Sequence, residues 1–271
     1  MGDLFVKHGL PGVDSLEGEA AGLRWLAEAA QAGGMPVVEV VSSSPTELAE
    51  HRVHAGSPSS EAAERAGAAL AVTHAAGAPW WGAPPPGWEG SYLIRSSYTP
   101  TVPESDAPLT WGAFFAEWRV MPYLRQACDA GAISLDEASV FECVAARLRD
   151  GDFDTPQPAL VRSNGNEVAR IHGDLWSGNL LWDSDPANPV GATLIDPMAH
   201  GGHAETDLAM LALFGCPFLG RIIDAYNEAS PLADGWRERV PLHQLAPLLH
   251  HCALFGRSYT RAALDAARPF A

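Results

Sequence analysis

The stretch His172-Gly173-Asp174-Leu175-Trp176-Ser177-Gly178-Asn179 constrains the chain more than any other. Asp174 and Asn179 stand five positions apart, and a glycine immediately precedes each of them. Glycine tolerates backbone conformations closed to other residues, so a tight loop can turn both polar side chains toward one point. The apolar runs Val168–Ile171 and Leu180–Trp182 flank the loop, the pattern of short strands that fix its ends. This Asp-to-Asn interval is that of phosphoryl-transfer loops, where the Asp accepts a hydroxyl proton and the Asn holds Mg²⁺.

A second oxygen ligand is expected shortly downstream. Ala192-Thr193-Leu194-Ile195 is an apolar, β-favouring run that stops at Asp196-Pro197. Pro197 biases Asp196 toward an extended backbone, so its carboxylate would project from a strand end. Asn179 and Asp196 on neighbouring strand ends would suit Mg²⁺, which also takes phosphate oxygens and water.

The string from His172 to Asn179, followed by Ile195-Asp196-Pro197 and by Gly202-His203-Ala204-Glu205-Thr206-Asp207-Leu208-Ala209-Met210, resembles the fructosamine (ketosamine) kinases. These belong to a wider aminoglycoside-phosphotransferase-like, protein-kinase-like group. The Trp-Ser pair after Asp174-Leu175 is the specific part of the likeness. Trp111–Pro122 and Glu19–Leu23 are similar to the family's aromatic helix and N-lobe helix. The resemblance implies an α+β, two-lobed, protein-kinase-like fold: an N-lobe over 1–55 and a mostly helical C-lobe over 56–271. It implies ATP and Mg²⁺ as cofactors and a ketosamine as phosphoryl acceptor, on a small molecule or a glycated protein lysine. Lys7 would then grip the nucleotide phosphates, paired with Glu19. Backbone around Glu50, His51 and Arg52 would contact adenine. Asp174 would be the base, and Trp176, His203, Glu205 and Asp207 candidate substrate-side residues.

Local patterns place these residues on elements. Asp3–Lys7 reads as a strand. Asp14 with Glu17 has the form of a capping box, opening a helix whose apolar stripe is Leu16, Ala20, Leu23, Ala27 and Ala30. Glu19 lies beside that stripe, with Glu17 as the competing partner for Lys7. Met35–Val41 and Glu47–Val53 read as strands, and Ser57-Pro58 as the start of a helix over 59–76. Residues 77–108 are a long Gly-, Pro- and Trp-rich loop, whose aromatic area calls for burial. Thr110 should cap a helix with the stripe Trp111, Phe114, Phe115, Trp118, Met121 and Leu124, kinked or broken at Pro122. Ser134 and Glu137 form another capping box. Ala159–Arg162 and Glu167–Ile171 are expected to pair about the turn Asn164-Gly165, and Leu180–Asp183 to pair with Ala192–Asp196. Helices fill Glu205–Phe214, 217–230 and 238–266.

Composition excludes several classes. Seventeen basic residues against 33 acidic ones give a formal net charge of −16, which disfavours nucleic acid and anionic membranes as partners. No apolar run approaches the ~18 residues of a membrane span, and the first residues lack a signal-peptide pattern. Cys128, Cys143, Cys216 and Cys252 are widely spaced without a CxxC, consistent with reduced thiols in a cytoplasmic protein. His200-Gly201-Gly202-His203 offers too few ligands for a structural zinc, and His250-His251-Cys252 is assigned no role.

One departure from the resemblance concerns the beginning. Kinase-like folds place a Gly-rich hairpin over the ATP phosphates before the strand lysine, and only six residues precede Lys7. The expectation is a truncated N-terminal β lobe. Besides a ketosamine kinase, the sequence admits a kinase for another small hydroxylated amine, such as an aminoglycoside, or a catalytically impaired nucleotide- or sugar-binding relative.

Overall fold

The computed structural model describes residues 3–10, 12–13, 15–94 and 97–271. The chain begins with strand β1 (Leu4–His8) and helix α1 (Leu16–Ala27), which continues as a 3-10 turn over Glu28–Ala32. The expected cap Asp14 lies outside the described residues. Gly33 ends this segment at φ 92°, a conformation that favours glycine. Strands β2 (Val40–Ser44) and β3 (Glu47–His51) complete an antiparallel sheet in the order β1-β3-β2. Lys7 pairs with Leu48 and Phe5 with Glu50, so Lys7 and Glu50 share one face. The strand run expected at Met35–Val41 starts later, at Val40. Pro36 and Val37 instead turn toward the second half of the chain, where Val37 bridges Leu194 and Val38 N donates to Leu194 O at 3.0 Å.

Helix α2 (Ser60–Ala75) is capped by Ser59, whose hydroxyl accepts from Ala62 N; the expected cap Ser57 lies two residues too early. Among the described residues of 77–108, β4 (Tyr92–Ile94) pairs antiparallel with β5 (Ser97–Thr99), Trp80 Nε1 donates to Val102 O at 2.8 Å, and Tyr92 Oη donates to Ala199 O at 2.7 Å. Thr110 caps α3 (Trp111–Phe115). A π turn over Ala116–Val120 joins it to α4 (Met121–Asp129). The interruption expected at Pro122, which has no N–H for the helical ladder, takes this π form. It carries Arg119 inward, to 5% exposure. Helix α5 (Leu135–Arg149) opens with the expected Ser134–Glu137 box.

The hairpin expected about Asn164-Gly165 does not form. Ala159–Ser163 is a short helix, α6, preceded by Pro158 at φ −53°, and Ser230 Oγ accepts from Leu160 N at 2.9 Å. Val161 is buried against α2 and its neighbours, an anchorage that strand pairing would remove. Strand β6 (Ala169–Ile171) leads into the glycine-framed loop, and β7 (Leu180–Trp182) leaves it to pair with β8 (Ala192–Leu194). Strand β9 (His200–Gly202) pairs back on β6. Helices α7 (Ala204–Leu213), α8 (Leu219–Ala229), α9 (Trp236–His243), α10 (Leu245–Phe255) and α11 (Thr260–Ala267) complete the chain.

Two apolar clusters hold the helical half together. One packs the aromatic face of α3 and α4 against α5, α10 and α11; the other packs α2, α7 and α8 around β6 and β8. The N-terminal helix is tied to this half by Arg170, whose Nη1 donates to Trp25 O at 2.6 Å and to Glu28 Oε2 at 3.0 Å. Its guanidinium lies 4.6 Å from the Trp25 ring centre. Among the described residues, no helix is long and apolar enough to cross a membrane.

The closest approach of α2 and α8 is made by Gly67. A Cβ there would lie 2.1 Å from the Ile222 carbonyl oxygen, a backbone atom with little freedom to retreat. Alanine is the better helix former by about 0.8–1.0 kcal/mol, but overpacking costs ~1–3 kcal/mol. Gly67→Ala should therefore lower the melting temperature by several degrees in a circular-dichroism melt. A variant that melts at or above the parent temperature would contradict this packing.

Candidate active site

The loop between β6 and β7 is shaped from beneath by one buried carboxylate. Asp207, on α7, accepts from His172 N through Oδ2 at 2.7 Å and from Gly173 N through Oδ1 at 2.9 Å. His74 Nε2 stands 3.1 Å from the same Oδ2, and His74 Nδ1 stands 2.9 Å from Tyr226 Oη. Burial pushes the Asp207 carboxyl up, but His74 and the loop N–H groups outweigh it and hold it below its ordinary value. Gly173 has φ 82°, and a Cβ there would meet Met198 O at 2.2 Å. His172 fixes the far side of the turn, its Nε2 2.8 Å from Ile195 O.

This turn brings Asp174 and Asn179 together. Asn179 Nδ2 donates to Asp174 O at 2.8 Å, to Asp174 Oδ2 at 3.1 Å and to Asp196 O at 3.3 Å. The amide nitrogen is thereby committed, leaving Oδ1 as the atom able to face a cation. Asp174 is half-buried, and desolvation pushes its carboxyl up to about 8 despite the Asn179 hydrogen bond. Asp196 follows β8 at φ 54°. The extended backbone expected before Pro197 is thus replaced by a left-handed one, strained for a residue with a side chain. Asn179 Nδ2 and Lys7 Nζ both hold Asp196 in place.

Lys7 is the centre of a cluster. Its ammonium is hydrogen-bonded to Glu19 Oε1 and to Asp196 Oδ1, with Glu50 Oε2 at 3.7 Å. Burial alone would lower the Lys7 pKa; Glu19 and Asp196 overcome that and raise it. Burial pushes Glu19 up to about 7 in spite of Lys7. The carboxylates around it hold Lys7 charged, while burial, with Asp196 and Glu50 nearby, keeps Glu19 high. Glu50 Oε1 is buried with no hydrogen-bond partner. Glu19, rather than Glu17, faces Lys7.

These residues line two adjoining hollows. Lys7, Glu19, Tyr92, Asp174, Trp176, Asn179, Asp196 and Met198 surround one. The other is walled by Val38, Val53, Leu181 and Ile195 with Glu50, His51 and Arg52. Glu50, His51 and Arg52, the segment expected beside adenine, line this second hollow. His51 N and Arg52 N donate to Glu39 O and Asp3 O, at 3.0 and 2.9 Å, and the Glu50 side chain lines the hollow. A third, more enclosed cavity beside Asp174 is bounded by Arg119, Tyr123, Met198, His200, His250 and His251. Sequence reasoning gave most of these no role: they come from segments far apart in the chain, and their local patterns read as core or turn.

His203 and Glu205 do not join the cleft. Glu205 is buried in a two-pronged pair with Arg239, at 2.6 and 2.9 Å, and His203 packs edge-on against Trp111. With His243 they offer ligand atoms within 4.8 Å of one another, but the Arg239 guanidinium already satisfies the carboxylate. Trp176, by contrast, stands at the mouth at 40% exposure, and its ring covers Gly178, where a Cβ would lie 2.2 Å from it.

The profile of the fructosamine kinases matches residues 2–268. The chain belongs to the fructosamine kinase family. A crystal structure from Thermobifida fusca, assigned as a fructosamine-3-kinase, is 44% identical and superposes with a TM-score of 0.82, covering 98% of this chain and 84% of that one. The mouse ketosamine-3-kinase is 30% identical over 175 residues, 63% of this chain and 50% of that protein. An aminoglycoside phosphotransferase solved with ADP bound shares the fold at 11% identity, with a TM-score of 0.52 over 98% of this chain and 87% of that one. The chain thus has the two-lobed α+β architecture of protein-kinase-like phosphotransferases. The matched stretches span 61, 53 and 59% of the first curated relatives, less than two thirds of their length.

The raised Asp174 pKa has a stability signature in this family member. A folded value near 8 against an ordinary 3.8 means that the folded chain binds this proton more tightly than the unfolded one. The stability so conferred is full below the ordinary value and is lost as pH rises through the folded value. In Mg²⁺- and nucleotide-free buffer, Asp174→Asn should melt above the parent at about pH 9, with the gap narrowing as pH falls toward about 5. A pH-independent gap in calorimetric melts would contradict the assigned cost of burying the carboxylate.

Proposed function

We propose that this chain catalyses transfer of the γ-phosphoryl group of ATP to a hydroxyl of a ketosamine, the 3-hydroxyl by analogy with the named mouse relative. The observation that carries the proposal is the convergence of Asp174, Asn179, Asp196 and the Lys7–Glu19 pair on one cleft. Membership of the fructosamine kinase family supports the acceptor class, and the ADP-bound fold neighbour supports the nucleotide.

The donor set fits Mg²⁺. Three carboxylates around one ammonium, the orphaned Glu50 Oε1 and the uncommitted Asn179 Oδ1 make an oxygen-rich site with excess negative charge. Asn179 and Asp196 would hold the ion. When bound, it would neutralise phosphate charge during transfer. Lys7, aligned by Glu19, binds the nucleotide phosphates. The apolar wall of Val38, Val53, Leu181 and Ile195 receives the base. Asp174 accepts the acceptor hydroxyl's proton as the hydroxyl oxygen bonds to the γ-phosphorus and the bond to the departing ADP breaks. Trp176, at the mouth, offers a ring face to the sugar or its cationic amine. Asp207 acts at one remove, by holding the loop in shape.

The test is ADP release from ATP in the presence and absence of glycated lysine, with and without Mg²⁺. Release should require both. Asp174→Asn should lose about 10²–10⁴ of the turnover, the usual worth of a general base, with little change in nucleotide binding measured by calorimetry. Turnover within a few-fold of the parent would remove Asp174 from this role. Nucleotide-dependent turnover of some other hydroxylated amine, with none of any ketosamine, would overturn the acceptor assignment.

A further inference from the structure

The cleft mouth continues into a strip of exposed rings that the reaction itself does not require. It starts at Trp176, in the loop that carries Asp174. Phe214, just past α7, meets the Trp176 ring at 6.4 Å and 89°. His251 of α10 lies 5.1 Å from Phe214, Tyr259 lies 4.9 Å from His251, and Phe255 lies 5.4 Å from His251 and 5.9 Å from Tyr259. The strip touches the site twice, because His251 also bounds the enclosed cavity beside Asp174. Trp176 and Phe214 are each 40% exposed and Phe255 50%. Burial elsewhere in this chain absorbs most large aromatic side chains, including Trp111, Phe114, Phe115, Phe141 and Tyr226. A run of half-exposed rings leading out of a catalytic loop marks a binding surface rather than scattered surface residues.

We propose that this strip is the subsite for the substituent on the ketosamine nitrogen, and that it selects ketosamines whose amine carries an aromatic or aliphatic side chain. The inference rests on the ketosamine kinase reading and goes further, to the acceptor's other half. With the reacting hydroxyl at Asp174, the sugar occupies the cleft and its nitrogen points out past Trp176. The group beyond that nitrogen meets Phe214 and then the His251, Phe255 and Tyr259 rings. Ring faces attract the ammonium itself and bury apolar surface next to it. The one basic side chain of the strip is His251, which burial pushes toward its neutral form, and the chain's net charge of −16 favours the amine's approach.

The test compares the fructosamines of glycine and of phenylalanine, which share sugar, amine and carboxylate and differ in one benzyl group. The kcat/KM ratio of the phenylalanine to the glycine compound should exceed one by roughly two- to tenfold, the usual worth of an aromatic pair. Phe214→Ala should bring the ratio toward one, and Phe255→Ala should reduce it less. Both positions are half-exposed, so the variants test the strip without hollowing the core. A second pair, peptides with an ε-glycated lysine beside phenylalanine or beside glycine, distinguishes the source. A preference confined to the peptides assigns the strip to neighbouring side chains of a glycated chain; one confined to free amino acids assigns it to small metabolites. A ratio near one in the parent for both pairs, or one that neither variant changes, would overturn the subsite while leaving the kinase reading intact. So would a dimer in light scattering that Phe214→Ala dissociates, since the strip would then be a self-association surface. No turnover of any ketosamine would overturn both.

Discussion

The loop that holds Asp174 depends on one buried carboxylate beneath it, Asp207. A turn of this tightness leaves the N–H groups of His172 and Gly173 without partners in any strand. Asp207 satisfies both from the first turns of α7. Buried backbone donors left alone cost on the order of 1–3 kcal/mol each, so this pairing decides whether the loop keeps its shape. Asp207 is held in turn by His74 on α2, and His74 by Tyr226 on α8. The chain of contacts therefore runs from the loop into α2 and α8, which approach closely at Gly67. The same helix N-terminus that carries Asp207 also carries Glu205, and the two carboxylates divide the work. Glu205 is spent on Arg239, tying α7 to α9, while Asp207 is spent on the loop.

The other half of the site is assembled across the two halves of the fold. Lys7 comes from β1, Glu19 from α1 and Glu50 from β3, whereas Asp196 belongs to the end of β8. Lys7 is thus an electrostatic link between the N-terminal sheet and the catalytic segment. Arg170 reinforces it from below, gripping the end of α1 from the strand that leads into the loop. Residues far apart in sequence are positioned by two cations, the partly buried Lys7 in the cleft and the buried Arg170 beneath it.

Much of this was legible in the sequence, and the pattern of success has a physical reason. The spacing of Asp174, Asn179 and Asp196, the glycines that frame the loop and the Ser134–Glu137 cap are local, and local geometry is what sequence patterns encode. The partnership of Lys7 with Glu19 was readable because a helix face can be drawn from its apolar stripe. Failures occurred where tertiary contacts overrode local preference. Ala159–Ser163 is β-compatible by composition, but Pro158, Ser230 and the burial of Val161 make it a helix. Asp196 adopts φ 54° against the preference set by Pro197, because Lys7 and Asn179 hold it there. Glu205 and Asp207 sit two apart at one helix start with similar sequence signals, and only the positions of Arg239 and His74 tell them apart. Arg119 reaches the cavity beside Asp174 through a π turn, a shift of register that no periodicity announces.

The electrostatics of the cleft explain why these side chains should be arranged as they are. One ammonium cannot neutralise Glu19, Glu50 and Asp196 together, and Asp174 lies close enough to Asp196 to feel it. The signs of strain agree: Glu19 and Asp174 are both pushed toward their protonated forms, Glu50 has an unpartnered oxygen, and Asp196 is held in a left-handed backbone. Such a site is more costly empty than filled. A divalent cation with its phosphate ligands would relieve the repulsion and return the carboxylates to their ionised forms. The ordering of the N-terminal sheet against the catalytic segment is then coupled to occupancy through the same Lys7. In the proposed reaction, stability withheld from the empty cleft would become binding energy for the ion and the nucleotide, and Asp174 would ionise as the cleft fills.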